Sequence, residues 1–396
     1  MVNRSDTAKN VYVSKFINPH YGVHLRSISS CIKTLFRGQG YWRIFVKGVE
    51  VMFADRIEAK WIDSFKRVFT LCGVREGVTA AILSETQSRE LNIHIAELAL
   101  QLLGARTFHV VMPTPPQSAP VPVRSTGASN SLQGLGPAIA ALAASELVVD
   151  LTVEGLLHAP ELPDILKGGA RVLMISNEHP EALERLVPDE CLKDSVRAAV
   201  ACCREASTMT VMSEAGSNLR IDLRNSPVAG VWGWTDRPGT VAHWPGGVVV
   251  VFPKRHAVNG QLVMSPGDVN LTFKRYLESA ITLTIENDFV TEVQGDGLDA
   301  ALMREYYAAW DDPEAYGVSH VGWGLNEAAR YEALTMYDQR DTNGTELRAL
   351  AGNFLFSTGA NEAAGRHTLG HFDLPMLRCS IALDGLLVVE NGKLVN

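Results

Sequence analysis

Apolar residues in the first half of the chain alternate between helical spacing and short unbroken runs. In Trp61–Phe69 they recur every three or four residues, as on one face of an amphipathic helix. Val78–Leu83 is a short apolar run typical of a buried strand, Thr86–Leu103 returns to helical spacing, and Thr107–Met112 is again strand-like. A strand, a helix and a strand at this separation predict a βαβ unit, and therefore a parallel sheet.

The same alternation continues to about residue 206. Further helices are predicted at Pro137–Ser145, Pro160–Lys167 and Cys191–Ala206, with strands at Glu146–Leu151 and Arg171–Ser176. A stretch rich in Pro, Ser and Gly at 113–136 interrupts the pattern and predicts a long loop, of a length that is often functional.

After residue 206 the pattern changes to short strands separated by turn residues. The predicted strands are Thr208–Met212, Leu219–Leu223, Gly247–Phe252, Gln261–Ser265, Val269–Phe273 and Ile281–Glu286, and helices follow at Ala300–Trp310 and Asn326–Met336. This order predicts an α/β, Rossmann-like domain with a parallel sheet, followed by an α+β domain with antiparallel strands. We divide the chain into an N-terminal extension (1–58), the α/β domain (59–206) and the α+β domain (207–396).

The N-terminal extension mixes basic and aromatic residues with an apolar stretch at Trp42–Phe53. We interpret it as a segment that packs on the body of the protein or on a neighbouring subunit. We also predict a homo-oligomer.

Composition narrows the class of protein. The chain has 396 residues, of which 46% are hydrophobic and 20% charged, enough for two domains with substantial cores. Its net charge of −8 argues against a nucleic-acid-binding surface. No apolar run reaches membrane-spanning length and the first ten residues lack the apolar core of a secretory signal, so no membrane association and a cytoplasmic location are predicted. The six cysteines lack C-x-x-C spacing and are typical of reduced thiols.

The strongest candidate chemistry lies near the C-terminus. In an extended strand His371 and Asp373 share one face, while Phe372 and Leu374 lie on the other. A histidine from another segment, such as His320, would complete a set of two imidazoles and one carboxylate, which suits a non-haem Fe(II) site in the second domain. The H-x-D spacing alone is weak, and a hydrogen-bonded pair at a strand end explains it equally well.

Three other polar residues have both a functional and a structural reading. His158 follows the predicted strand Glu146–Leu151, at an edge where ligands bind to α/β sheets, and is either a general base or a capping histidine. His243 follows two tryptophans and belongs either to an aromatic pocket or to a well-packed hairpin. Ser357 ends an apolar strand and either bonds substrate or simply bonds backbone.

Several catalytic signatures are absent from the sequence. No G-x-G-x-x-G follows the first strand of the βαβ unit, which argues against a dinucleotide site there. Neither G-x-S-x-G nor H-E-x-x-H occurs, which sets aside a serine hydrolase and a zincin.

Five segments together resemble a known family. These segments are Leu156-Leu-His158-x-Pro160, His243-Trp-Pro245, Tyr316–Leu325, Gly352–Gly359 and His371-x-Asp373-x-Pro375. They resemble, in order and spacing, the 2,5-dihydroxypyridine 5,6-dioxygenases, a family related in fold to the M29-type metallo-aminopeptidases. The resemblance runs from about residue 60 to the C-terminus and leaves the extension uncovered.

The resemblance implies a role for each matching residue. Fe(II) would be bound by His320, His371 and Asp373; His158 would be the acid/base for the substrate hydroxyl; Leu157 would line the pocket; His243 and Ser357 would contact substrate or oxygen. Members of the family use O2 to open a small hydroxylated pyridine between C5 and C6, giving N-formylmaleamic acid.

The chain departs from the family at one position. Val231 stands twelve residues before His243, where the family has a glutamate. A missing carboxylate near the ring changes the hydrogen bonding offered to the substrate. A related hydroxylated N-heterocycle, or a substituted pyridine, is therefore also a candidate substrate.

Two alternative functions stay open on the sequence. M29 peptidases hold two metals with additional glutamates and a tyrosine seven residues after the first histidine; here that position is Glu327. This difference counts against a peptidase without excluding it. The third reading is a metal-free binding protein on the same fold.

Overall fold

The computed structural model describes residues 32–38, 41–46, 56–116, 129–175, 177–339 and 342–395. The chain forms two compact units, 1–56 and 57–396. In the first, β1 (Ile32–Gly38) pairs with β2 (Tyr41–Val46) as an antiparallel hairpin. The predicted packing of the extension and the middle of the 113–136 loop lie outside the described residues, and the division at residue 206 stays a prediction.

The unit 57–396 contains both helices and strands. Its helices are α1 (Ala59–Leu71), α2 (Glu90–Leu102), α3 (Gly136–Ala143), α4 (Leu162–Lys167), α5 (Pro180–Arg185), α6 (Glu190–Glu205), α7 (Leu298–Trp310), α8 (Ala333–Met336) and α9 (Thr345–Ala349), with 3-10 turns at Pro313–Tyr316 and Glu362–Ala364. Its strands are β3 (Thr79–Glu85), β4 (Arg106–Met112), β5 (Leu147–Asp150), β6 (Arg171–Ile175), β7 (Thr208–Ser213), β8 (Asn218–Asp222), β9 (Val228–Val231), β10 (Val241–Trp244), β11 (Val248–Val251), β12 (Val258–Met264), β13 (Val269–Asn270), β14 (Arg275–Tyr276), β15 (Ile281–Glu286), β16 (Phe289–Gln294), β17 (Val318–Gly324), β18 (Phe354–Thr358), β19 (Phe372–Met376), β20 (Cys379–Leu383), β21 (Leu386–Glu390) and β22 (Lys393–Leu394).

The predicted parallel sheet is present, with strand order β10-β6-β5-β3-β4. Successive residues of β3 bury opposite faces: Ala80 and Ile82 pack with residues of α1 and α2, while Ala81 and Leu83 pack with residues of α3 and α4. Burial on both faces explains why the strands are nearly continuous apolar runs. We call the part built on this sheet the parallel-sheet half.

The strand β10 was not predicted. The sequence analysis offered a hairpin around His243, but Val241–Trp244 instead adds to β6 as the outermost parallel strand, with His243 opposite Met174. This four-residue strand comes after residue 206, and nothing in its own sequence indicates that it pairs with β6 of the parallel sheet. Its position brings His243 to the parallel sheet.

The rest of the unit is antiparallel, as predicted, and is here called the antiparallel half. One sheet has the order β19-β18-β17-β11-β9 and a second the order β16-β15-β12-β8-β7-β20-β21-β22. Phe354, Phe356, Phe372 and Leu374 of the first sheet join residues of the second in one buried cluster. Because side chains alternate along a strand, the other face of the first sheet carries the intervening residues, including Ser357 and Asp373.

Two predicted elements are wrong in extent. Only Ala333–Met336 of the predicted helix Asn326–Met336 is helical, because the Asn326 side chain accepts a hydrogen bond from Ala328 N at 3.0 Å and donates one to Gly246 O at 2.8 Å, which fits a turn. The predicted strand Val269–Phe273 ends at Asn270, since Leu271 N turns to bond Asp373 O. Within the described ranges, none of the helices is both long and apolar enough to cross a bilayer.

Candidate active site

The three candidate metal ligands come from neighbouring strands of one sheet. His320 lies on β17, Asp373 lies on β19, and His371 directly precedes β19. Strand β18 lies between them and places Ser357 opposite Asp373. His320 and Asp373, which lie far apart in the sequence, are thus brought together on one sheet face.

The three side chains converge at contact distance. Asp373 Oδ2 lies 3.2 Å from His371 Nε2, and Asp373 Oδ1 lies 3.5 Å from His320 Nε2. The two imidazole rings are 6.0 Å apart between centroids with an interplanar angle of 29°. The structure therefore groups the residues that the sequence analysis grouped, whereas their role as ligands stays a prediction.

Hydrogen bonds hold the His320 imidazole and the His371 backbone. Ser319 Oγ lies 3.2 Å from His320 Nδ1 and donates to Ala360 O at 2.6 Å, so it accepts from an Nδ1–H and leaves Nε2 to face Asp373. The backbone of His371 is held on both sides by Tyr306, whose hydroxyl donates to His371 O and accepts from His371 N, each at 2.8 Å.

Ser357 and Arg348 complete the surroundings of Asp373. The fully buried Ser357 hydroxyl lies 3.0 Å from His320 Nε2 and donates to Asp373 Oδ1. Arg348 Nε donates to Asp373 Oδ2 at 2.6 Å. Burial alone would raise the pKa of Asp373, but Arg348 and then His371 outweigh it and hold that pKa well below its usual range. The site therefore contains a buried carboxylate anion.

The donor set fits a divalent metal. Burial lowers the pKa of His320 to about 3, which keeps the imidazole in the neutral form that binds metals. The donors contact one another directly, and the described part of the chain holds no group of three His, Cys, Asp or Glu side chains already spaced around an ion. Two imidazoles and one carboxylate that meet at one point nevertheless supply the donors of a two-histidine, one-carboxylate site.

His158 reaches the same centre from the parallel-sheet half. Its ring lies 6.0 Å from the His371 ring, and its loop is held by the carboxylate of Asp150, which accepts from Leu156 N at 2.7 Å and from Thr152 N at 3.0 Å. His158 is solvent-accessible, yet the protein around it lowers its pKa to about 4, chiefly by desolvation. His158 is therefore an accessible imidazole beside the candidate ligands. The adjacent Leu157 is half-buried.

His243 is buried at the edge of the parallel sheet. Its Nδ1 lies 2.6 Å from Pro245 O, to which it donates, so Nε2 is left as an acceptor. Burial lowers its pKa to about 4, and the charges of Arg348 and Asp373 also act on it. The two tryptophans that precede His243 belong to the apolar core: Trp234 packs in one cluster with Trp244, and Trp232 packs against that cluster.

Val231 lies on β9, the edge strand of the antiparallel sheet that carries the candidate ligands. It pairs with Val248 and packs against a cluster formed by Val248, Val250 and Leu355, which also includes Phe252. The Phe252 ring is 5.7 Å from the His320 ring. Val231 and Phe252 thus pack against the same apolar cluster, and Phe252 also lies beside His320.

Sequence reasoning missed Arg348, Ser319 and Tyr306. Arg348 and Tyr306 act through contacts with residues distant in the sequence and belong to none of the five segments. Ser319 lies within the segment Tyr316–Leu325, but its contact with the His320 ring is visible only in the structure. A half-buried arginine beside a buried aspartate is visible only in three dimensions. Glu327, the position compared with the peptidases, is exposed.

The chain is similar to known proteins in both sequence and fold. The sequence model of the family NicX, 2,5-dihydroxypyridine 5,6-dioxygenase, matches residues 60–396. The chain is 37% identical over 341 residues to 2,5-dihydroxypyridine 5,6-dioxygenase from Pseudomonas putida, covering 85% of this chain and 96% of that protein. The solved structure of the dioxygenase from Pseudomonas putida KT2440 superposes with a TM-score of 0.81 at 37% identity, covering 86% of this chain and 98% of that chain.

A second solved structure shares the fold alone. AmpT from Thermus thermophilus superposes with a TM-score of 0.59 at 15% identity, covering 85% of this chain and 99% of that one. The predicted fold class is confirmed, and so is the resemblance on which the enzyme class was predicted. A dioxygenase implies a metal cofactor, a small-molecule substrate and O2. The match over residues 60–396, together with 37% identity to a characterised member, shows that the chain belongs to the NicX family of ring-cleaving 2,5-dihydroxypyridine 5,6-dioxygenases.

Proposed function

We propose that this chain is a non-haem Fe(II) dioxygenase that opens 2,5-dihydroxypyridine, or a closely related hydroxylated N-heterocycle, between C5 and C6. The observation that carries the proposal is the convergence of His320, His371 and Asp373 on one sheet face, with His158 beside them. The product is N-formylmaleamic acid or its analogue. Both atoms of O2 enter that product, so the reaction needs no external reductant.

The metal and the protein side chains have separate roles in the proposed reaction. Fe(II), when bound by the two histidines and Asp373, supplies a path for electrons between the ionised ring and O2. His158 takes the proton of the ring hydroxyl, because a neutral imidazole on the wall of the site is a proton acceptor. The acceptor Nε2 of His243 and the Ser357 hydroxyl orient the polar groups of substrate or oxygen, and Leu157 lines the pocket.

The first test is metal analysis of protein purified without oxygen, followed by oxygen uptake. We expect one iron per chain and one O2 consumed for each 2,5-dihydroxypyridine. A peptide substrate with a free amino terminus is the matched comparison, since AmpT shares the fold. Peptide hydrolysis without oxygen uptake would overturn the proposal.

Val231 offers a test of substrate preference. Because valine stands where the family has a glutamate, a polar group of the substrate ring that the glutamate would have met is left without a hydrogen-bond partner. This costs about 1–3 kcal/mol in the binding free energy. We expect Val231→Glu to raise kcat/KM for 2,5-dihydroxypyridine relative to analogues with an apolar ring substituent. Val231→Gln separates hydrogen bonding from charge. If the native protein and both variants rank the substrates alike, Val231 does not set specificity.

The homo-oligomer and the cytoplasmic location stay predictions from the sequence. Light scattering coupled to size-exclusion chromatography measures the first directly.

A further inference from the structure

The short helix α9 links the candidate metal site to the parallel-sheet half. It carries Arg348, whose Nε lies 2.6 Å from Asp373 Oδ2. Arg348 Nη1 also donates to Asn343 Oδ1 at 3.0 Å, just before the helix begins. The direction of the guanidinium therefore depends on where α9 and the residues before it lie.

A buried carboxylate from the parallel-sheet half holds the start of α9. Glu178, which follows β6, is 1% exposed. One of its oxygens accepts from Thr345 N at 2.9 Å, and the other accepts from Thr342 Oγ1 at 3.0 Å. The backbone carbonyl of Glu178 is itself held by Asn92 of α2, whose Nδ2 donates to it at 3.0 Å. The first residue of α9 is thus bonded to a segment that is fixed at the edge of the parallel sheet.

An ion pair makes a second connection between the same two parts. Arg185, the last residue of α5, donates through Nη2 to both carboxylate oxygens of Glu346, at 2.7 and 2.8 Å. Glu346 is 1% exposed and also accepts from Arg330 N at 2.7 Å. Charged groups buried in this way hold one geometry, because separating them leaves a buried charge without a partner.

These two connections are not needed to attach α9 to the antiparallel half. That attachment is already made by Asn353, whose Nδ2 donates to Leu347 O at 2.6 Å, and by Asn326 N, which donates to Ala349 O at 2.9 Å. The bonds from Glu178 and Arg185 add a different constraint. They fix α9 relative to the half that carries His158 and His243.

We propose that Glu178 and the Arg185–Glu346 ion pair are positioning residues for the metal centre, and that they act by placing the Arg348 guanidinium on Asp373. The inference rests on the proposed metal site. Partners in the outer shell of a metal ligand typically change metal affinity by 10–100-fold. Residues that act through such a partner should change metal affinity by an amount at the lower end of that range.

The test is a double-mutant cycle on Fe(II) affinity. Metal-free protein is titrated with Fe(II) alone, without oxygen, for native protein, Glu178→Gln, Arg348→Met and the double variant. We expect Glu178→Gln to raise the Kd for Fe(II) by about 10-fold in the native background. In the Arg348→Met background the same change should be below about 2-fold, because residues that act in one chain of contacts are not additive. Glu184→Gln is the matched control: it removes a carboxylate of α5 that pairs with Lys60 at 3.1 Å, and its Kd should match native protein.

Thr342→Val provides a milder variant if Glu178→Gln does not fold. It removes one donor to Glu178 and keeps the volume of the side chain, so a smaller rise in Kd is expected, again only when Arg348 is present. Equal rises in both backgrounds, or native affinity in every variant of Glu178 and Thr342, would overturn the inference and leave the proposed function intact. Native protein that binds no Fe(II) would overturn both.

Discussion

Asp373→Ala is expected to lose at least nine-tenths of its iron and, with it, measurable ring cleavage. Asp373 is the only carboxylate among the three candidate ligands, and two imidazoles alone hold Fe(II) poorly and leave its charge uncompensated. The measurement is iron content after anaerobic reconstitution, together with oxygen uptake. Full iron content in this variant would refute the ligand assignment.

The same substitution should also destabilise the metal-free protein. Asp373 is 4% exposed and accepts from Arg348 and Ser357, so its removal leaves a largely buried guanidinium without its carboxylate. Breaking a buried ion pair by removing one partner costs about 3–5 kcal/mol in the free energy of unfolding. Urea unfolding of the metal-free proteins measures this loss separately from the loss of iron.

Asp288→Ala is the matched control for that second effect. Asp288 is also a buried aspartate; it accepts from Val258 N at 2.8 Å and lies 3.8 Å from Arg366. Its loss should lower stability while iron content stays native. A variant of Asp373 that loses stability but keeps iron would place Asp373 in this structural class instead.

Much of the fold could be predicted from the sequence, because local patterns of apolar residues determine the helices and strands. The helical spacing of Trp61–Phe69 and the apolar runs of β3 and β5 predicted the parallel sheet, since burial on both faces leaves little choice of residue type. The alternation of His371, Phe372, Asp373 and Leu374 likewise predicted which side chains share a face, and both apolar members lie in the core cluster.

The features that could not be predicted from the sequence depend on contacts between segments that are distant in the chain. Strand β10 joins the parallel sheet from beyond residue 206, and nothing in its four residues specifies that partner. Arg348 lies 25 residues before Asp373 and meets it only because β19 and α9 pack together. The function of a residue that holds a ligand in place is therefore harder to predict than the ligand itself.

The half of the protein from which a site residue comes predicts the effect of its substitution. The candidate ligands and Arg348 come from the antiparallel half, whereas His158 and His243 come with the parallel sheet. Substitutions in the first group should change metal binding. Substitutions in the second should change turnover of an enzyme that still holds its metal.

His158→Ala tests that division directly. Its iron content should stay native while kcat falls by about 10²–10⁴, the range for loss of a general acid or base. The loop should keep its shape, because Asp150 holds it through Leu156 N and Thr152 N and not through the imidazole. His158→Gln, which keeps a polar side chain but transfers no proton, should be as slow.

His109→Ala is the control for this prediction. His109 lies on β4, 3.6 Å from Glu97, and its substitution should leave kcat unchanged. Loss of iron together with activity in His158→Ala would instead point to a structural or ligand role for His158 and would refute the assignment as a general base.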